Sequence, residues 1–321
     1  MQWNKAQIGG VSFHRGVVIA SRLVGATGSV VGNDSWSGRF SLLFFFILYY
    51  MLSYFQSDKL KSLGPSIPPL LTFHVITLFP DLLTTYTGVS VIGRGVKAER
   101  LAVKTYNPRD FCPDKYKKVD DTPYGGGAGM VLKPEPFFAA FESICQSVEN
   151  DERRQAMPVL LMSPQGKPFK QETAQKLSEH QDITIICGHY EGFDERIRTL
   201  ATQEICIGDY ILTGGELASL VVIDAVGRLV PGVLGKIASV HDESFSDGIL
   251  EAPQYTKPPE FRGMEVPEIL RGGDHKAITN WRRKQALLRT MKRRPDLMEK
   301  ADLSAADRKI LDEIELELDG N

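Results

Sequence analysis

The chain has 321 residues, 42% of them apolar and 24% charged, with a formal net charge of −2. Its length leaves room for about two domains around well-buried cores, and the composition is ordinary for a soluble protein. The near-zero net charge excludes a global basic field for nucleic acid, so any such surface must be local. The four cysteines (Cys112, Cys145, Cys187, Cys206) lack both C-x-x-C spacing and histidines at zinc-site intervals, and read as reduced, mostly buried thiols.

Residues 1–71 differ from the rest. They carry six Lys/Arg against two Asp, whereas 72–321 has a net charge of −6. Phe40–Phe55 is apolar but for Ser41 and Ser53, and its sixteen residues are short of the about twenty that a spanning helix needs. Three readings compete: a membrane anchor, an added packing element, or sequence translated from upstream of the true start. The last is our expectation, because a complete domain begins directly after the linker-like Ser62–Pro69.

From Phe73 the pattern becomes regular. Phe73–Phe79 is a strand candidate, and Pro80 opens a helix to about Thr87. His74 lies within that strand and reads as structural. Leu101–Tyr106 is a second strand, followed by a polar loop from Asn107. Val119–Met130 then packs four glycines into five positions behind Asp120 and Asp121. Such a backbone can pass very close to another group. No Gly-Lys-Ser/Thr follows, so it is not a Walker loop, and it does not open a helix after a strand as a dinucleotide fingerprint would.

A helix is expected over Pro134–Val148 and a strand over Pro158–Met162, ending in a turn at Ser163–Gly166. A helix over Lys170–Glu179 and a strand over Asp182–Cys187 follow. Alternation of strands and helices predicts a mostly parallel sheet covered on both faces. Two strands break into glycine-flanked polar loops, at Gly188–Arg196 and at Ile207–Glu216. The second has the pattern strand end, tight loop, helix start, which presents backbone polar groups to a ligand. The bland alternative is an ordinary strand-to-helix turn. Loops near Ser163, Gly188 and Gly208 all leave strand ends, and ligands of open α/β sheets bind there. One concave site built from all three is the economical inference.

After a helix containing Asp224 and Arg228, residues 236–247 are polar and aperiodic, and read as a mobile linker with adjacent acids, Asp242 and Glu243. Residues 275–294 form a long helix with eight Lys/Arg and no acid. Trp281, Leu287, Leu288 and Met291 give its apolar face, with Arg282, Arg283, Lys284, Arg289, Arg293 and Arg294 around it. The cations suit phosphate contact; the alternative is a solvated face. Residues 296–319 are acidic and form a final surface helix.

The ordered motifs Ile76–Pro80, Pro108–Phe111, Val119–Met130, Ser163–Gly166, Gly188–Arg196, Ile207–Glu216, Pro231–Gly235, Gly263–Pro267 and Arg293–Asp296 together resemble the bacterial tRNA (guanine-N1)-methyltransferases, the TrmD family. The resemblance runs from Phe73 to about Leu297. It implies an α/β domain with a trefoil-knotted (SPOUT-type) mostly parallel sheet over 72–235, helices on both faces, and a small helical C-terminal domain over 248–321 that grips tRNA. It also implies a cytoplasmic homodimer with shared active sites that methylates guanosine 37 of tRNA after a preceding guanosine, with neither a further protein partner nor membrane association.

By the same resemblance, S-adenosylmethionine is held by Gly188 and by the backbone of Ile207, Gly208, Asp209, Tyr210, Ile211 and Leu212, with Gly214 and Gly215 closing the loop. Met162 and Pro164 line the adenine slot, and Tyr190 and Glu191 sit beside the methionine portion. The Gly125–Gly129 loop approaches the cofactor or the target base. His189 stands where the family often has arginine. Glu243 occupies the position of the family's aspartate base, one methylene longer, with Asp242 beside it as the alternative. Arg228 matches the arginine that contacts the guanine; read structurally, it pairs with Asp224 one helical turn earlier. Magnesium assists the family, and the chain carries no dedicated cage for it. Two rivals remain, a nucleotide-binding oxidoreductase and a non-catalytic RNA-binding module.

Overall fold

The computed structural model describes residues 71–234 and 243–319. The extension over 1–70, most of the linker, Gly235 and Asp242 lie outside the described residues. Five parallel strands form the central sheet: β1 (Leu71–Ile76), β2 (Leu101–Tyr106), β5 (Val159–Pro168), β6 (Asp182–Ile186) and β7 (Gln203–Cys206), in the order β2-β1-β6-β5-β7. A short antiparallel pair, β3 (Asp120–Asp121) and β4 (Val131–Leu132), flanks the glycine-rich loop.

The alternation of side chains along the strands builds two cores. Leu71, Phe73 and Val75 of β1, with Ile183 and Ile185 of β6, face one side. There they meet Leu83 of α1 (Pro80–Thr87), Ile92 of α2 (Ser90–Lys97), Leu177 of α5 (Gln171–Ser178), and Val222 and Ile223 of α6 (Glu216–Gly227). Ile76, Leu161 and Ile186 face the other side, against Phe137, Ala140 and Ile144 of α3 (Pro134–Ser147). Every residue of β1 is buried, as expected of a strand covered on both faces.

A third, smaller core lies in the C-terminal part. Leu287 and Ala286 of α8 (His275–Arg293) pack with Ile249 and with Ile314 of α10 (Ala305–Asp319), the short α9 (Pro295–Met298) joining the two helices. Asp274 caps α8, its side chain accepting from the Ala277 amide at 3.0 Å. Ser304 and Asp307 form a reciprocal capping box at the start of α10. Between the sheet and α8 lie a hairpin, β8 (Glu260–Phe261) with β9 (Met264–Glu265), and the short α7 (Glu268–Arg271). Among the described residues no helix is long and apolar enough to cross a membrane.

Three features depart from the sequence expectations. The Ser163–Gly166 turn does not end its strand: Met162 and Lys167 both pair with Ile205, so these residues loop out as a bulge and β5 resumes. Helix α2 contains Gly93 and Gly95, two poor helix formers in eight residues. A Cβ at Gly93 would strike the Gly88 backbone, so the close packing of α2 on its own approach segment demands the glycine. Helix α4 (Asp151–Ala156) is a single polar turn and a half, capped by Asn150.

His74 is structural, as expected. Its ring bridges Asp182 and the Tyr106 hydroxyl, both at 3.1 Å, on the α3 side of the sheet. Arg153 of α4 donates to the same carboxylate at 2.8 Å. Burial pushes Asp182 up, but the hydrogen bonds from His74 and Arg153 outweigh it and hold the carboxyl below its usual range. A depressed folded-state value means stability that is present at neutral pH and lost as pH falls through it. Asp182→Asn leaves Arg153 without its buried partner and should cost about 3 kcal/mol in urea unfolding at pH 7. The variant should also lose less stability than the parent on acidification below about pH 4; parallel pH profiles would contradict this reading.

Candidate active site

The three loops converge as expected, although the one at Ser163 is a bulge within β5 and not a strand end. They enclose a cleft of about 480 Å³, within the range that holds a small organic ligand. One wall is Met162–Gln165 from the β5 bulge, a second is Gly188–Phe193 after β6, and the third is Ile205–Gly208 and Tyr210–Gly215 after β7.

Two contacts lock the second and third walls together. The Gly215 amide donates to the Gly188 carbonyl at 2.8 Å, and His189 pairs with Gly214 in an antiparallel bridge. No side chain fits there. A Cβ on Gly215 would lie 2.8 Å from Cys187 Cα, and one on Gly214 would strike Glu216 and His189. Behind the turn, buried Glu216 opens α6 and accepts from the Thr77 hydroxyl at 2.8 Å, tying the helix to the end of β1. Burial, and then the Glu216 carboxylate, push the Cys187 thiol well above its ordinary range, so it is an inert packing group.

Met162, Pro164, Gly188, Tyr190, Glu191, Ile207, Gly208, Tyr210, Ile211, Leu212, Gly214 and Gly215 all border the cleft. Asp209 does not; it sits in the β7–α6 loop without reaching the lining. Ser163, Gln165, His189, Phe193, Glu195, Arg198 and Thr213 border it as well, although no role attaches to them from the sequence. The first two belong to the turn at Ser163, which was visible as a motif but looked like a strand end. The Phe193 ring covers Gly188, where a Cβ would meet it at 2.8 Å, and Arg198 stacks over that ring at 5.3 Å.

His189 stands between Phe79 and Tyr190, with ring centroids 5.0 and 4.8 Å away, and its buried Nδ1 has no hydrogen-bond partner. Such an orphaned atom in a cleft wall is a costly arrangement unless a ligand completes it. Tyr190 has φ +58°, a left-handed conformation uncommon for a residue with a side chain. The Gly125–Gly129 loop does not line the cleft; it touches it only where Gly129 and Met130 pack on Glu191.

Arg228 and Glu243 make a bidentate ion pair, both N–O distances being 2.6 Å. Its hydrogen bonds hold the Glu243 carboxyl below the ordinary range, against the opposing effect of burial. The alternative structural reading, a side-chain pair of Arg228 with Asp224, is not what the structure holds; Asp224 accepts from the Tyr86 hydroxyl at 2.9 Å. Neither Arg228 nor Glu243 borders the cleft of its own chain.

The cations that the resemblance directs at tRNA divide into two groups. Arg283 pairs with Asp307 and Asp247, Lys284 with Glu317, and Arg294 with Asp296. Arg282, Arg289 and Arg293 have no carboxylate partner among the described residues. The paired carboxylates come from outside 275–294, so the acid-free run concealed them. Among the described residues no group of three or more His, Cys, Asp or Glu side chains is gathered to hold a metal ion.

Fold and cleft define an α/β protein with a small-molecule-sized hollow beyond the carboxyl ends of its strands, where open α/β sheets place their ligands. Comparison with known proteins narrows the class. Residues 71–300 match the model of the family described as tRNA (Guanine-1)-methyltransferase TrmD. The tRNA (guanine-N(1)-)-methyltransferase of Dehalococcoides mccartyi (strain 195) is 55% identical over 241 residues, 75% of this chain and 95% of that protein. Proteins of the same name from Syntrophotalea carbinolica and Bacillus cereus (strain AH820) are each 50% identical, covering 77% and 75% of this chain and 98% and 97% of their own lengths. The chain belongs to the TrmD family.

The lock between the turns has a direct consequence. Gly215→Ala should lower thermal unfolding by the equivalent of about 1–3 kcal/mol, because the backbone at Cys187 and Gly188 must move. An unchanged melting temperature would show that the two turns are not packed as described.

Proposed function

We propose that the chain is an S-adenosylmethionine-dependent enzyme that methylates N1 of guanosine 37 in tRNA carrying a preceding guanosine. The observation that carries the proposal is the cleft closed by the Gly188 and Gly215 turns, in a chain of the TrmD family. The residues present fit the donor. Met162 and Leu212 offer apolar contact, backbone turns offer hydrogen bonds, the His189 Nδ1 atom is unpartnered, and the Glu191 carboxylate borders the cleft where a cation would be favoured, the Glu195 carboxylate there being already paired with Arg198. Bound there, S-adenosylmethionine supplies a methyl group on a positively charged sulfur, which is already electrophilic.

The chain must then position the guanine in line and take the proton from its N1. Glu243 is the group we assign to that proton, with Arg228 holding the guanine O6 where negative charge builds. In the observed pair both Glu243 oxygens accept from Arg228, and a carboxylate so held is a weak base. Transfer of Arg228 from Glu243 to O6 frees an oxygen and raises its affinity for a proton. The pair is only partly buried, so opening it costs little.

Because the pair lies off the cleft of its own chain, a second copy supplies the missing half. Exposed Leu82, Tyr86 and Val89 around α1, and Leu217 and Val221 on α6, form an apolar face suited to a homodimer. The anticodon arm would lie across the C-terminal part, against Arg282, Arg289 and Arg293.

Methyl transfer to a tRNA transcript with guanosine at position 37, and none to the same transcript with that base replaced, is the expected result; equal transfer to both would refute the assigned target. Glu243→Gln should slow transfer by about 10²–10⁴ while tRNA affinity is kept, and Asp242→Asn should stay within a few-fold of the parent. The reverse pattern would move the base to Asp242. Val221→Arg should convert the dimer to an inactive monomer in sedimentation; an active monomer would sink the shared-site arrangement.

A further inference from the structure

The C-terminal part contains a second cavity, of about 860 Å³, that the methyl transfer described above does not use. One wall is the extended segment Pro253–Pro259. The other is made by Val266, Leu270 and Arg271 before α8, and by Ile278 and Arg282 in its first turns. The lining is largely apolar, and its charged members are three cations, Lys257, Arg271 and Arg282, with no carboxylate among them.

These cations are unlike their neighbours on α8. Arg283 and Lys284 are tied to carboxylates of other segments. Lys257 and Arg282 have no carboxylate partner among the described residues, and Arg271 has only a 3.4 Å contact with Glu265, both side chains exposed. Positive charge left unneutralised beside an apolar hollow is complementary to a ligand that joins an anion to a flat apolar body. Tyr255 adds an aromatic wall: the residue is 49% exposed and its ring tilts against Trp281 at 6.5 Å. At the adjacent hairpin the Arg262 guanidinium stacks on exposed Phe261 at 5.1 Å, a second cationic aromatic surface.

We infer that this cavity receives one unstacked nucleobase of the tRNA. Tyr255 covers a face of the base, and Lys257 and Arg282 neutralise the phosphates that flank it. The inference rests on the tRNA reading above and deepens it by naming a second contact site. Gln254 and Thr256 are the amide and hydroxyl side chains on the lining, too few to read a base edge uniquely, so the grip is on shape and stacking and tolerates any base.

The test uses the full chain and a fluorescently labelled anticodon-arm RNA, with affinity read by anisotropy at several salt concentrations. Tyr255→Ala should weaken binding about five- to hundredfold without changing the salt slope, since a stacked base and not a phosphate contact is lost. Tyr255→Phe, which keeps the ring, should bind within about twofold of the parent. Lys257→Ala and Arg282→Ala should each reduce the salt slope by about one. Among arms that lack single loop bases, one should bind the parent as weakly as the intact arm binds Tyr255→Ala, and lose nothing further with that variant.

Parental affinity in Tyr255→Ala, or additive losses for every abasic arm, would overturn the assignment. Lys257 and Arg282 are surface groups without structural partners, so unchanged salt slopes in their variants overturn it even if loss of the Tyr255 ring unfolds the segment. A parent that methylates tRNA normally beside such results places the failure in the cavity alone. A parent that does not bind the arm at all places it in the tRNA reading.

Discussion

The hydrogen bond from the Gly215 amide to the Gly188 carbonyl is the contact on which the site depends. It joins the turn after β6 to the turn before α6, two segments that the sheet order separates by β5. The contact exists because neither turn carries a side chain where they meet. Glu216, one residue on, is anchored to Thr77 at the end of β1, so the helix start cannot drift. Remove that closure and the cleft loses two of its three walls, while the sheet beneath could remain intact.

Charge is distributed by a similar logic. Asp182 and Asp307 are buried, each held by arginine with further hydrogen-bond donors, and breaking either pair strands a charge away from water. Arg228 and Glu243 have equally short contacts but sit nearer the surface. Pairs of that kind contribute roughly 0–1 kcal/mol. Ion pairs that must persist are thus placed where rupture is expensive, and the pair assigned to proton transfer is placed where it is cheap to open.

Much of the fold was legible because burial on both faces imposes a simple pattern. β1, β2 and β6 are uninterrupted apolar or alternating runs, and their expected ends fall within a few residues of the observed ones. The cleft was legible for a related reason: glycines clustered at strand ends have few other uses. What stayed hidden depended on partners distant in sequence. Gly93 and Gly95 argue against a helix until the Gly88 backbone and Val233 are seen against them. The Ser163–Gly166 turn looks terminal until β7 pairs on both sides of it. The basic run of α8 looks free until Asp247, Asp307 and Glu317 arrive from elsewhere.

Hydrogen exchange of the full chain with and without S-adenosylmethionine, read residue by residue, tests the central claim most directly. The amides of 188–193 and 207–215 should exchange more slowly when the donor is present, with the far edge of the sheet at β2 unaffected. Slowing confined to other segments, with those two turns unchanged, would contradict the account.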